Sequence, residues 1–114
     1  MNTREVGKTG EDVAAKYLAK QGYIILQRNF VAPHGEVDII AKEGNVVVFV
    51  EVKSRNSNAF GLPREAVTPY KQRTIALCAK YWLAQKKLYG VPVRFDVVEV
   101  FGKQVTVWKD AFRM

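Results

Sequence analysis

Apolar residues recur along this chain with two periods, and the switches between them delimit its elements. Val13, Ala14, Tyr17 and Leu18 repeat at helical spacing, with Thr3 or Thr9 placed to cap the helix and Gly22 to close it in a left-handed turn. Tyr23 to Phe30 is apolar and β-branched, which predicts a strand, and Val31-Ala32-Pro33-His34-Gly35 carries the residues of a turn. Glu36 to Ala41 alternates polar with apolar as a second strand, and Glu43-Gly44-Asn45 turns the chain again. Val46 to Lys53 is the strongest strand, and its near-continuous apolar run predicts a central strand covered on both faces. After a polar loop from Ser54 to Val67, Thr68-Pro69 starts a helix with a threonine cap and a proline in the first turn. That helix is predicted to run to about Tyr89, stop at Gly90, and bury Ile75, Cys78, Ala79, Trp82 and Leu83. Val93 to Phe101 and Gln104 to Trp108 form two last strands around a Gly102-Lys103 turn. The order is helix, three strands, helix, two strands. The first three strands form a meander, and the second helix permits a parallel crossover. This is an α/β chain with a mixed five-stranded sheet flanked by two helices.

Composition adds bounds. One domain over residues 1–114 is expected, with no repeat, low-complexity tract or linker. No apolar run approaches the roughly 20 residues of a membrane helix, and the N-terminus lacks the layout of a secretory signal. Cys78 is the sole cysteine, which excludes an internal disulfide and fits a reducing, cytoplasmic setting. Eighteen Lys and Arg against eleven Asp and Glu give a net charge of +7, with a pI near 9.7. That surface favours a polyanion, nucleic acid before an anionic membrane; a basic surface without a specific partner is the plainer reading.

Against this basic background one set of acids stands out. Glu51 and Lys53 are two residues apart on a strand and share a face, as do Glu36 and Asp38 on the preceding strand. Glu51 sits among Phe49, Val50 and Val52, where an ionised carboxylate needs a cation, a hydrogen-bond network or a raised pKa. A structural Glu51–Lys53 ion pair answers that need alone. Convergence with Asp38 leaves excess negative charge, which a divalent cation resolves; Mg²⁺ is commonly held by one or two carboxylates plus water and substrate phosphates. Lys53 then orients or deprotonates a water, or stabilises charge on the phosphate oxygens. Glu11 falls on the sheet-facing side of the first helix, where it joins the site or merely complements the helix dipole. Asp12 lies off that stripe and is expected in solvent. With Glu11, Glu36, Asp38 and Glu51 set apart as one acidic pocket, the remaining 18 basic and 7 acidic residues leave +11 elsewhere.

Asp38 followed by Glu51-Val52-Lys53 resembles the PD-(D/E)XK motif of the restriction-endonuclease-like superfamily, with Val37 where the motif has proline. Gly10-Glu11, Gly22-Tyr23, Arg28-Asn29, Gly35-Glu36-Val37-Asp38, Phe49 to Arg55 and Arg94-Phe95-Asp96-Val97-Val98 resemble the YraN family over nearly the whole chain. That family is similar in turn to archaeal Holliday-junction resolvases. The resemblance implies a restriction-endonuclease-like fold, Glu11, Asp38 and Glu51 as ligands of Mg²⁺ or Mn²⁺, and Lys53 as the catalytic lysine. It also implies a polar residue from the following helix at the site, for which Gln72 is the candidate and Lys71 the runner-up. DNA is the implied substrate, in branched or otherwise structured form, and the resolvase kinship implies a homodimer. A catalytically inactive nucleic-acid-binding module on the same fold is the second reading, and an interaction protein without a nucleic-acid role the third.

Arg55 and Arg64 in the loop after Lys53, with Lys71, are candidate nucleic-acid contacts, and the loop, which also carries Phe60, is expected to be mobile without substrate. His34 is expected as a surface turn residue, and Glu36 as either a site member or a turn hydrogen-bond partner. Cys78 and Trp82 are expected in the core, and Asp96 in a structural pair with Arg94.

Overall fold

The computed structural model describes residues 3–55 and 67–113, with side chains from Gly10 onward. Helix α1 spans Thr3–Lys20 and α2 Pro69–Gln85; the strands are β1 Ile24–Ala32, β2 Gly35–Glu43, β3 Val46–Arg55, β4 Val93–Phe101 and β5 Gln104–Phe112. The five strands form one sheet in sequence order. β1, β2 and β3 pair antiparallel as the expected meander. β3 and β4 pair parallel through the α2 crossover, and β5 returns antiparallel.

The sequence pattern accounts for the end of α1 and the start of α2, but not for the end of α2. At the end of α1, Tyr23 N–H donates to the Leu18 carbonyl and Gly22 N–H to Ala19. That is a Schellman closure around the left-handed Gly22, with Tyr23 and Leu18 sharing a core cluster. Thr68 caps α2 as expected, its hydroxyl accepting from Lys71 N–H. The far end differs from expectation, since the helix ends at Gln85 rather than near Tyr89. Leu88 N–H donates to Leu83 and Lys87 N–H to Ala84, so the same closure forms around a non-glycine residue, Lys87 at φ 56°. Leu83 and Leu88 pack against the same core and favour the early stop.

β3 is covered on both faces, as its apolar run predicts. Val48 and Val50 pack with Ala14 and Leu18 under α1. Val47 and Phe49 pack with Ile75, Cys78, Ala79 and Trp82 under α2. Phe49 is fully buried and meets Trp82 edge-on at 5.9 Å. Burial of a side chain of that size contributes about 1.5–3 kcal/mol. Trp82 also donates its indole N–H to Gln27.

The last strand runs four residues beyond the expected Trp108. Its pairing shifts between Phe95 and Val97, where Asp110 adopts φ 54° and donates its backbone N–H to the Asp96 carboxylate. Asp96 is fully buried and also accepts from Tyr23 OH and, in a two-pronged fork, from Arg94. Arg94 extends the network to Glu43, which Lys109 also holds. The structural role expected of Asp96 is therefore met, and the α1–β1 turn, β4 and β5 meet at its carboxylate. Asp96→Ala leaves Arg94 with Glu43 as its remaining anion. Unfolding in denaturant should show a loss of about 3 kcal/mol, whereas a loss under about 1 kcal/mol would show that the network is dispensable.

Candidate functional site

The site begins where one ladder stops. β2 and β3 pair from Glu43↔Val46 to Ile39↔Val50. Beyond that point the Val52 N–H, which would continue the ladder, donates instead to the Asp38 carboxylate at 2.8 Å. The residue opposite Asp38 on β1 is Asn29, at φ 53°. Val37 packs in the core under α2, but Ile39 packs in the core under α1. The two-residue alternation that placed Glu36 and Asp38 on a common face is thus broken across Asp38. β2 separates from β3 here, while β3 stays paired with β4 as far as Arg55↔Phe101.

Glu51 lies just beyond the separation, on the α2 side with Phe49, and is only 6% exposed. Lys53 Nζ is 4.0 Å from Glu51 Oε1, and Lys71 Nζ, from the first turn of α2, is 3.9 Å from Oε2. Neither distance is a hydrogen bond, and Oε2 is buried with no hydrogen-bond partner. Desolvation therefore outweighs both lysines. Burial first, and repulsion from Asp38 second, push the Glu51 carboxyl up from 4.5 to about 7. Burial also raises Asp38, against the Val52 hydrogen bond and the Lys71 charge that pull it down.

Glu11 reaches the site from the α1 side. Its carboxyl is raised by burial first and by Asp38 second, and lowered by Arg28. Arg28 Nη2 is 3.6 Å from Glu11 and 2.7 Å from Asp12, so Asp12 is an ion-pair partner rather than a free solvent group. Both Glu11 Oε1 and Arg28 Nε are buried without a hydrogen-bond partner. Asp38 is the neighbour that Glu11 and Glu51 share across the two faces. Among the described residues no three acidic, histidine or cysteine side chains form a ready-made metal cage. The donor set suits the open kind of site, in which one or two carboxylates hold a hard cation and water and phosphate complete its shell.

Gln72 donates its amide to the Val67 carbonyl, and Lys71, the runner-up, reaches Glu51. Arg55 forms a two-pronged pair with Glu99 on β4. Arg64 and Phe60, with the expected mobility of their loop, lie outside the described residues; β3 itself continues through Ser54 and Arg55. His34 and Glu36 are exposed, and the Glu36 charge still raises Asp38 and Glu51. Cys78 is a buried core thiol. Arg28 belongs to a resemblance block, but its pairing with Glu11 is not visible in the strand's apolar pattern, because it depends on how α1 crosses β1. Gly10, beside Glu11, matters too: a Cβ there would collide with Ser54 Oγ, so glycine permits the close approach of α1 to the end of β3.

The chain as a whole is similar to proteins of one family. Residues 10–100 match the model of the uncharacterised protein family UPF0102, the family of the YraN proteins. A UPF0102 protein of Caldicellulosiruptor saccharolyticus is 54% identical over 89% of this chain and 86% of its own length. One from Clostridium perfringens is 48% identical over 97% of this chain and 96% of its own. One from Geotalea uraniireducens is 45% identical over 99% and 93%.

The raised Glu51 carboxyl has a stability consequence with a definite sign. The folded chain holds this proton more tightly than the unfolded chain, so the contribution to stability is fully present below about pH 4.5 and lost as pH rises through about 7. In chelator, Glu51→Gln should be more stable to denaturant than the parent at about pH 8, by an amount on the order of a few kcal/mol. The gain should fade toward pH 4.5. A difference that does not vary with pH would contradict the buried-charge account.

Proposed function

The chain belongs to the uncharacterised protein family UPF0102, and from that premise we propose that it is a metal-dependent endonuclease acting on DNA, branched or otherwise structured DNA included. One observation carries the reading: Glu51 is buried in the central strand, its Oε2 lacks a hydrogen-bond partner, and Asp38 repels it from beside. Perturbed, incompletely satisfied acids of this kind concentrate at functional sites.

In this reading Asp38 and Glu51 hold Mg²⁺ or Mn²⁺, with Glu11 completing the set from the α1 side. The cation supplies Lewis acidity at the phosphate. Asp38 is fixed by the Val52 N–H, so its carboxylate is oriented before substrate arrives. Lys53 Nζ, beside Glu51, stabilises charge on the phosphate oxygens or orients the attacking water. Lys71 neutralises Glu51 from the other side and can turn to a phosphate. Arg28 positions Glu11. The net charge of +7 draws the polyanion in. Symmetric cutting of a four-way junction takes two such sites, so a homodimer is part of the same proposal. No helix among the described residues is long and apolar enough to cross a membrane, and the lone buried thiol suits a cytoplasmic setting.

A catalytically inactive binding module is the second reading, favoured by the basic partners already present: Lys53 and Lys71 at Glu51, and Arg28 at Glu11. A screen over linear, flapped, forked and four-way DNA with Mg²⁺ or Mn²⁺ separates the two. The nuclease reading expects cleavage of at least one substrate, none in chelator, and a loss of at least roughly 100-fold in Glu51→Ala. Cleavage that survives this substitution would place the chemistry elsewhere. Binding without cleavage, equal or tighter in Glu51→Ala, would establish the module.

A further inference from the structure

One side of α2 is left open to solvent beside the proposed site. Pro69, Arg73, Ala76, Lys80 and Leu83 recur at three-, four- and seven-residue spacing, so they follow a single side of the helix. Together with the C-terminal end of β5 they line two adjoining cavities, of about 390 and 570 Å³, that share Arg113. The floor is apolar: Pro69, Ala76 and Leu77 in the first cavity, and Leu83, Phe95 and Phe112 in the second. Leu77 is 43% exposed. The rim is cationic. Arg73 and Lys80, about 10 Å apart along the helix axis, form no ion pair with any described residue. Asp110 is the acidic residue in the lining, and Arg113 holds it at 2.6 Å. Arg94 is already committed to Asp96 and Glu43.

We infer that this groove binds an unpaired single strand of the nucleic-acid substrate, with bases on the apolar floor and phosphates on Arg73, Lys80 and Arg113. The inference rests on the proposed nucleic-acid function and sharpens its substrate to DNA or RNA with a single-stranded segment beside a duplex. Two features select this occupant. An apolar trough edged by cations, of which Arg73 and Lys80 form no ion pair with a described residue, matches a strand of flat bases with apolar faces on a charged backbone. The trough also begins at Pro69 and Gln72, next to Lys71, which lies on Glu51. A strand with one phosphate at the Glu51–Lys53 carboxylate end therefore has the groove as its continuation.

The test is fluorescence anisotropy in chelator, using a blunt DNA duplex and the same duplex with a single-stranded tail of about eight nucleotides, within the span of one single-strand-binding unit. Matched arms carry an RNA tail and an abasic tail. The tail, of DNA or RNA, should tighten binding roughly tenfold, and the abasic tail should recover little of that gain. Arg73→Gln with Lys80→Gln, and separately the charge-neutral Leu77→Ser on an exposed position, should remove the gain while blunt-duplex affinity changes by no more than about threefold. Equal binding of blunt and tailed duplex, or a gain that survives both variants or the abasic tail, overturns the groove assignment and leaves the nuclease reading standing. Failure to bind any nucleic acid at low salt overturns both. Poly-glutamate binding of equal strength, lost in the same variants, would make the groove a site for acidic peptide and likewise overturn the assignment.

Discussion

The cost of burying an ionisable carboxylate in the middle of a β-sheet shapes the region around Glu51. Glu51 is buried there, two residues from the fully buried Phe49 and opposite Val97 on β4, and the two lysines within reach stop near 4 Å. A surface pair at such distances is worth little, and a buried one recovers its desolvation cost only when hydrogen bonds complete it. Here they do not. The local architecture fits that incomplete compensation: β2 parts from β3 at Asp38, Val52 gives its N–H to a side chain in place of the ladder, and α1 and α2 bring Glu11 and Lys71 to the opening from opposite faces.

A second buried carboxylate, on the adjacent strand, is the internal control. Asp96 is less exposed than Glu51, yet it accepts from Tyr23, from both prongs of Arg94 and from the backbone of Asp110. Every element around it is arranged to satisfy it, down to the irregularity in β5. The same fold therefore completes one buried acid and leaves the other incomplete. Incomplete satisfaction, rather than burial alone, distinguishes a candidate site from a structural brace.

Features governed by local periodicity were legible in the sequence. Period two put Glu51 and Lys53 on one face of a doubly covered strand, helical spacing turned Glu11 toward the sheet, and Gly22 and Thr68-Pro69 marked helix ends through their backbone chemistry. Features that depend on two elements meeting were not. The break in alternation at Asp38 lies opposite Asn29, whose left-handed backbone is not set by the apolar–polar period. Lys87 ends α2 without being glycine, because Leu88 folds back onto Leu83. β5 runs past Trp108 because Asp96, distant in sequence, holds Asp110. That Lys71 as well as the first candidate Gln72 bears on the site depends on the facing of α2, which sets neighbouring side chains about 100° apart and brings the lysine to Glu51. Arg28 entered through the crossing of α1 over β1.

The central claim is that the Glu51 carboxylate is incomplete without a cation. Titration calorimetry with Mn²⁺ near neutral pH, repeated in buffers of different ionisation enthalpy, reads this directly. The account predicts a saturable site on each chain whose filling releases protons from the raised carboxyls, with both the site and the proton release lost in Glu51→Gln. Absence of Mn²⁺ binding, or binding of equal strength in Glu51→Gln, would contradict it.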